Sequence, residues 1–172
     1  MEIEKENRGG GGNKNLISDK EAEVLLLKAK RELRTAKRNL EDELYPEAVF
    51  DAQRAAEKAI KAAIRITGHE YGKDHDPSGL FGRIMLKELN EKIPSQLLKE
   101  VPKLGKAMNK LAKLRFLVEY PLEEEGEIIP PWEQVDSKTA EEAIKSTEAI
   151  ILWVEKFLKW WKSAPKMCIK EN

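Results

Sequence analysis

Gln53, Glu57 and Lys61 recur every four residues, which places an amide, a carboxylate and an ammonium on one face of a helix. Such a row can hydrogen-bond a ligand or a partner helix; its plainer reading is a polar face carrying one Glu-Lys pair. Arg115 flanks an apolar row, where a guanidinium is either paired or turned toward a phosphate. Glu119, one helical turn later, is the pairing partner at hand, for about 0.2–0.5 kcal/mol. His75 stands between Asp74 and Asp76 ahead of Pro77, where an imidazole can titrate near neutral pH or cap the next helix.

These groups exclude more chemistry than they specify. With two histidines, His69 and His75, and one cysteine, Cys168, the chain holds no zinc signature and no disulfide framework, so no metal and no cofactor are expected. No glycine-rich phosphate loop, Ser-His-Asp order or paired-carboxylate motif is present either. The 31 basic residues equal the 31 acidic ones, so no global field draws the protein to nucleic acid or membrane. Binding of that kind needs a local patch. Lys28, Lys30, Arg31, Arg34, Lys37 and Arg38 form one such run, able to track a phosphate backbone or simply to face water. The opening Met-Glu-Ile-Glu-Lys-Glu lacks the apolar core of a signal peptide, and no run is long enough to span a bilayer, so a cytoplasmic protein is expected.

The elements that must position these residues are helices. Ala22, Leu26, Ala29, Leu33, Ala36 and Leu40 alternate steps of four and three, predicting a helix from about Asp19, its N-cap, to Glu43. Pro46 suits a first turn, and Val49, Ala52, Ala56, Ala59 and Ala63 carry a second helix to Gly68, packed antiparallel on the first. Residues 68–79 read as a loop. A short helix over Leu80 to Leu89 follows, then a short piece between Pro94 and Pro102. Leu104, Met108, Leu111, Leu114 and Val118 mark a fourth helix, ended by Pro121. A loop rich in glutamate and proline leads to Trp132, read as a packed plug, with a partner anchor or base-stacking platform as alternatives. Asp136 or Ser137 caps the last helix, striped by Ala140, Ile144, Thr147, Ile151, Val154, Leu158 and Trp161. No segment alternates as a half-buried strand does. The expected organisation is a flexible glycine-rich tail over 1–17, an all-α up-and-down bundle of four long helices plus one or two short ones over 18–163, and a tail over 164–172.

The run from Leu44, Leu-Tyr-Pro-Glu-Ala-Val-Phe-Asp-Ala-Gln-Arg-Ala-Ala-Glu-Lys-Ala-Ile-Lys-Ala, followed after a loop by Asp74-His75-Asp76, closely resembles the signature of the HEPN domain, the higher eukaryotes and prokaryotes nucleotide-binding domain. Tyr45, Ala48, Ala52, Gln53, Ala55, Glu57, Lys58, Lys61, Ala62 and His75 carry the match. The resemblance, over about residues 20 to 160, implies a helix bundle, homodimers, and partnership with a small nucleotidyltransferase as toxin and antitoxin. Relatives that cut RNA carry an arginine followed, after four to six residues, by a histidine. Here Arg115 is the candidate arginine, but Tyr120, Pro121 and Leu122 occupy the positions ahead, and Glu119-Tyr120-Pro121 stands where Arg-Tyr-Pro is common.

Three readings follow. In the first, the chain is a dimeric binding or assembly module, partnering a nucleotidyltransferase or binding nucleotide or RNA, with Gln53, Glu57 and Lys61 as ligand contacts. In the second it is a variant metal-independent ribonuclease, Arg115 holding the scissile phosphate and His75 or Tyr120 replacing the missing base. In the third it is a purely structural helical dimer. Glu119, Glu123, Glu124, Glu125 and Glu127 make a local negative field that repels RNA, which weighs against the second.

Overall fold

The computed structural model describes residues 10–164. Four long helices build the bundle: α1 (Gly10–Glu41), α2 (Tyr45–Ile66), α5 (Val101–Glu119) and α7 (Ser137–Ser163). Between them lie the short α3 (Ser78–Arg83), α4 (Ser95–Leu98) and α6 (Pro131–Gln134). A single wide turn of π type, Ile84–Glu88, prolongs α3 and closes when the Leu89 N–H donates to the Ile84 carbonyl at 3.0 Å.

Two expectations change. Helix α1 runs back to Gly10, so Asp19 lies inside it and does not cap it, and the expected tail is helical from residue 10 onward. Ser18 is buried one turn before Ala22, so the core-facing stripe continues upstream of Asp19. Residues 1–9 and 165–172 lie outside the described residues. The second change is a small antiparallel hairpin, β1 (Leu122–Glu124) with β2 (Glu127–Ile129), in the segment read as loop. Its turn places Glu125 at φ 52 and Gly126 at φ 85, the paired left-handed conformation that matches strand twist. The strands are three residues long, too short to show a period.

Helix α2 occupies the centre. Ala52, Ala56, Ala59 and Ala63 are fully buried, and their small side chains let α1 and α7 approach closely. Side-chain pairs run in opposite order along α1 and α2, from Glu21 with Arg65 to Asn39 with Asp51, so the two helices are antiparallel. The same holds for α1 and α7, where Glu23 pairs with Lys162, Lys30 with Glu155 and Lys37 with Glu148. Two cations of the basic run are thus engaged within the bundle. Thr147 donates to the Ala52 carbonyl at 2.9 Å and ties α7 to α2. At the far end, buried Trp153 stacks on Phe157 and meets Phe81 edge-on, while its indole N–H donates to the Leu97 carbonyl at 3.0 Å. Asp136 caps α7 by accepting the Thr139 N–H at 2.8 Å.

Candidate functional site

Helix α2 presents Gln53, Glu57 and Lys61 on one face, and the fold buries that face beneath the loop following α2 and the last turns of α5. Glu57 is the hub. Its Oε1 accepts from Lys61 Nζ at 2.7 Å, and its Oε2 accepts from Gln53 Nε2 at 3.2 Å and lies 3.1 Å from His75 Nδ1. Gln53 Nε2 also donates to the His75 carbonyl at 3.0 Å, so one amide fixes both the loop backbone and the carboxylate. Aspartates flanking His75 brace the same loop: Asp74 accepts the Asp76 N–H, and Asp76 accepts from Asn109 of α5 at 2.7 Å.

Arg115 enters from α5. Its guanidinium forms a two-pronged pair with Glu119, Nε at 3.0 Å and Nη2 at 3.2 Å, donates through Nη1 to Gln53 Oε1 at 3.3 Å, and lies 3.9 Å from Glu57 Oε2. It also sits 5.1 Å above the Phe50 ring, one turn before Gln53 on α2. The Arg115 side chain is 16% exposed and that of His75 57% exposed, so the imidazole is the cluster's open edge. Burial alone pushes the Glu57 carboxyl up; the hydrogen bond and charge of Lys61, with bonds from His75 and Gln53, outweigh it and hold the group below its ordinary range.

Five of the six residues singled out in the sequence therefore meet in one network. Gln53, Glu57 and Lys61 form a buried hydrogen-bonded row, and Arg115 makes both the expected pair with Glu119 and further contacts across to α2. Tyr120 stands apart: its side chain is 59% exposed, and its backbone carbonyl accepts from Gln134. Trp132 is 72% exposed and plugs nothing. Phe50, Asn109 and the Lys61–Tyr71 contact, at 5.6 Å from ammonium to ring, escaped the sequence reading. The signal for Phe50 was its i,i+3 spacing to Gln53.

A neutral His75 that donates its Nδ1 proton to Glu57 keeps Nε2 as a basic lone pair, the tautomer being fixed by that hydrogen bond. An anion arriving at Arg115 competes with Glu119 for the Nε and Nη2 edge of the guanidinium. The site thus holds a carboxylate-oriented imidazole beside a guanidinium already neutralised by a carboxylate. Among the described residues no group of three or more His, Cys, Asp or Glu side chains is placed to hold a metal ion. No described helix is long and apolar enough to cross a membrane.

Comparison with known proteins gives consistent likenesses. Residues 22–157 match the family model of the HEPN domain. A Methanocaldococcus jannaschii protein named "Putative toxin MJ1304" is 28% identical over 141 residues, covering 81% of this chain and 90% of that protein. Among solved structures, TT1696 of Thermus thermophilus superposes with a TM-score of 0.59 at 26% identity, covering 79% of this chain and 97% of the other. The archaeal HEPN homologue ST0689 superposes with a TM-score of 0.54 at 24% identity, covering 80% and 97%, which shows a shared fold.

Proposed function

The chain belongs to the HEPN domain family, and from that premise we propose that it is the HEPN member of a toxin-antitoxin-type pair, working as a dimeric binding and assembly module with a small nucleotidyltransferase as partner and nucleotide or RNA as ligand. The relative named as a toxin, aligned over most of both chains, supports the setting. The observation that carries the binding reading is the internal closure of the Arg115 site: Glu119 holds the guanidinium by two prongs, and Gln53 and Glu57 take up its inner edge. A scissile phosphate gains little from an arginine so engaged, and the glutamates of the adjoining hairpin add repulsion, so the ligand of the binding reading is held away from Arg115 and the hairpin.

One observation favours a second reading. His75, oriented by Glu57 and open to solvent, is a ready general base even though no histidine follows Arg115 at the family's spacing. A ribonuclease of this kind would use Arg115 for the phosphate and His75 for the 2′-hydroxyl proton.

Incubation of a mixed RNA pool with the wild-type protein, Arg115→Ala and His75→Ala in excess chelator separates the two. The binding reading expects no cleavage by any of them, together with a melting temperature raised by nucleotide. Cleavage by wild type that both substitutions abolish replaces it with the ribonuclease reading.

A further inference from the structure

A groove of about 400 Å³ separates α3 from α5, floored by Gly79, Gly82, Gly105, Leu86 and Val101. An added Cβ would meet nothing within 4 Å at any of these three glycines, so the floor is open space. Lys106, Lys110 and Lys113, a step of four and a step of three along α5, form its rim and are all exposed. Only Lys110 has a partner among the described residues, Glu142 at 3.3 Å.

At the other end of α5 projects the opposite surface. The β1–β2 hairpin carries Glu123, Glu124, Glu125 and Glu127, none of which has an ion-pair partner among the described residues. Glu124 lies directly across from Glu127, a like-charge pair that destabilises a hairpin already marginal at three residues per strand. Its apolar side chains Leu122 and Ile128 are exposed as well. Residues paired across the hairpin share a face, so Leu122 stands with Glu124 and Glu127 on one face and Ile128 with Glu123 on the other; the first face offers what the groove takes, acid for the lysine rim and a branched apolar group for the glycine floor. The glycine floor of the hairpin's own groove is distant, because Gly105 and Glu119 are about 20 Å apart along the helix axis and only Tyr120 and Pro121 link α5 to β1.

We propose that the β1–β2 hairpin of one copy seats in the α3/α5 groove of a second copy, and the second copy's hairpin in the first, across a two-fold axis that sets the two α5 helices antiparallel. Antiparallel helices bring the hairpin end of one against the groove end of the other, so both contacts form at once. The interface assigns a face to the dimer of the proposed function and rests on that reading. Its attraction is between exposed charges, and so weakens with salt.

Equilibrium sedimentation of the full chain tests it with two charge reversals. Lys106→Glu/Lys110→Glu/Lys113→Glu and Glu123→Lys/Glu124→Lys/Glu125→Lys/Glu127→Lys should each weaken self-association by about tenfold or more. Mixed one to one, they should recover a dimer, because each reversed groove then faces a reversed hairpin. Gly82→Leu, which fills the groove without touching a charge, should weaken the dimer while helical circular dichroism stays unchanged. A wild-type dimer indifferent to all three variants overturns this interface and leaves the dimer itself standing. A wild-type chain that stays monomeric at every concentration overturns both.

Discussion

His75 and Arg115 converge on a single oxygen atom, Oε2 of Glu57, the imidazole at 3.1 Å and the guanidinium at 3.9 Å. One arrives on the loop behind α2 and the other on the last turns of α5, so the carboxylate registers two otherwise independent segments against the central helix. Gln53, bonded to the His75 carbonyl and to Arg115, repeats the link.

Glu57→Gln should destabilise the fold by about 3 kcal/mol, because it strands the buried Lys61 ammonium now 2.7 Å from the carboxylate. Chemical denaturation near neutral pH measures the loss. The acid limb supplies a second check. The folded carboxyl titrates below the ordinary 4.5, so its contribution is complete above that value and disappears as pH falls through the lower folded one. Wild type should therefore lose its advantage over Glu57→Gln in that acidic window, and parallel acid limbs would contradict the assignment.

Tyr71 donates to Glu21 Oε1 at 2.6 Å, and this bond, with burial and the Glu21 charge, lifts its phenol to about 12. A raised folded value favours the neutral phenol, so the stabilisation is fully present below the ordinary 10 and is lost as pH rises through about 12. Tyr71→Phe should cost about 1 kcal/mol at neutral pH and remove from an ultraviolet titration the tyrosine that ionises at about 12. A variant that instead loses a tyrosine ionising near 10 would refute the bond.

Glu43 sits at φ 61 where α1 hands over to α2, with the Leu44 N–H donating to Asn39 O at 2.8 Å and the Glu43 N–H to Leu40 O at 3.1 Å. That is the helix-ending geometry that glycine adopts without strain. Glu43→Gly should raise stability by about 0.5–1 kcal/mol in spite of the greater freedom it gives the unfolded chain. A lower melting temperature would show that the Glu43 side chain contributes more than its backbone costs.

The helices were legible because their stripes are long. Ala22, Ala29 and Ala36 on α1, and Val49, Ala52, Ala56, Ala59 and Ala63 on α2, are fully buried where the spacing placed them. The four-residue spacing of Gln53, Glu57 and Lys61 likewise showed that they share a face, but periodicity says nothing about what covers a polar face, so the convergence of His75 and Arg115 on it emerged only from the fold. The hairpin escaped because two three-residue strands leave no pattern beyond Glu125-Gly126, and Trp132 because an aromatic residue between proline and glutamate reads alike whether it plugs or projects. The upstream extension of α1 was hidden by glycines that propensity alone keeps out of a helix.

The hydroxyl of Thr147 bound to the carbonyl of Ala52, and the indole of Trp153 bound to that of Leu97, have a meaning for how the chain is made. The hairpin of α1 and α2 is contiguous and can pair while synthesis proceeds, yet its alanine seam stays uncovered until α7, more than seventy residues further along the chain, leaves the ribosome. Until α7 emerges the nascent protein therefore exposes apolar surface that α7 hides in the fold, and any segment binding that seam first competes directly with α7.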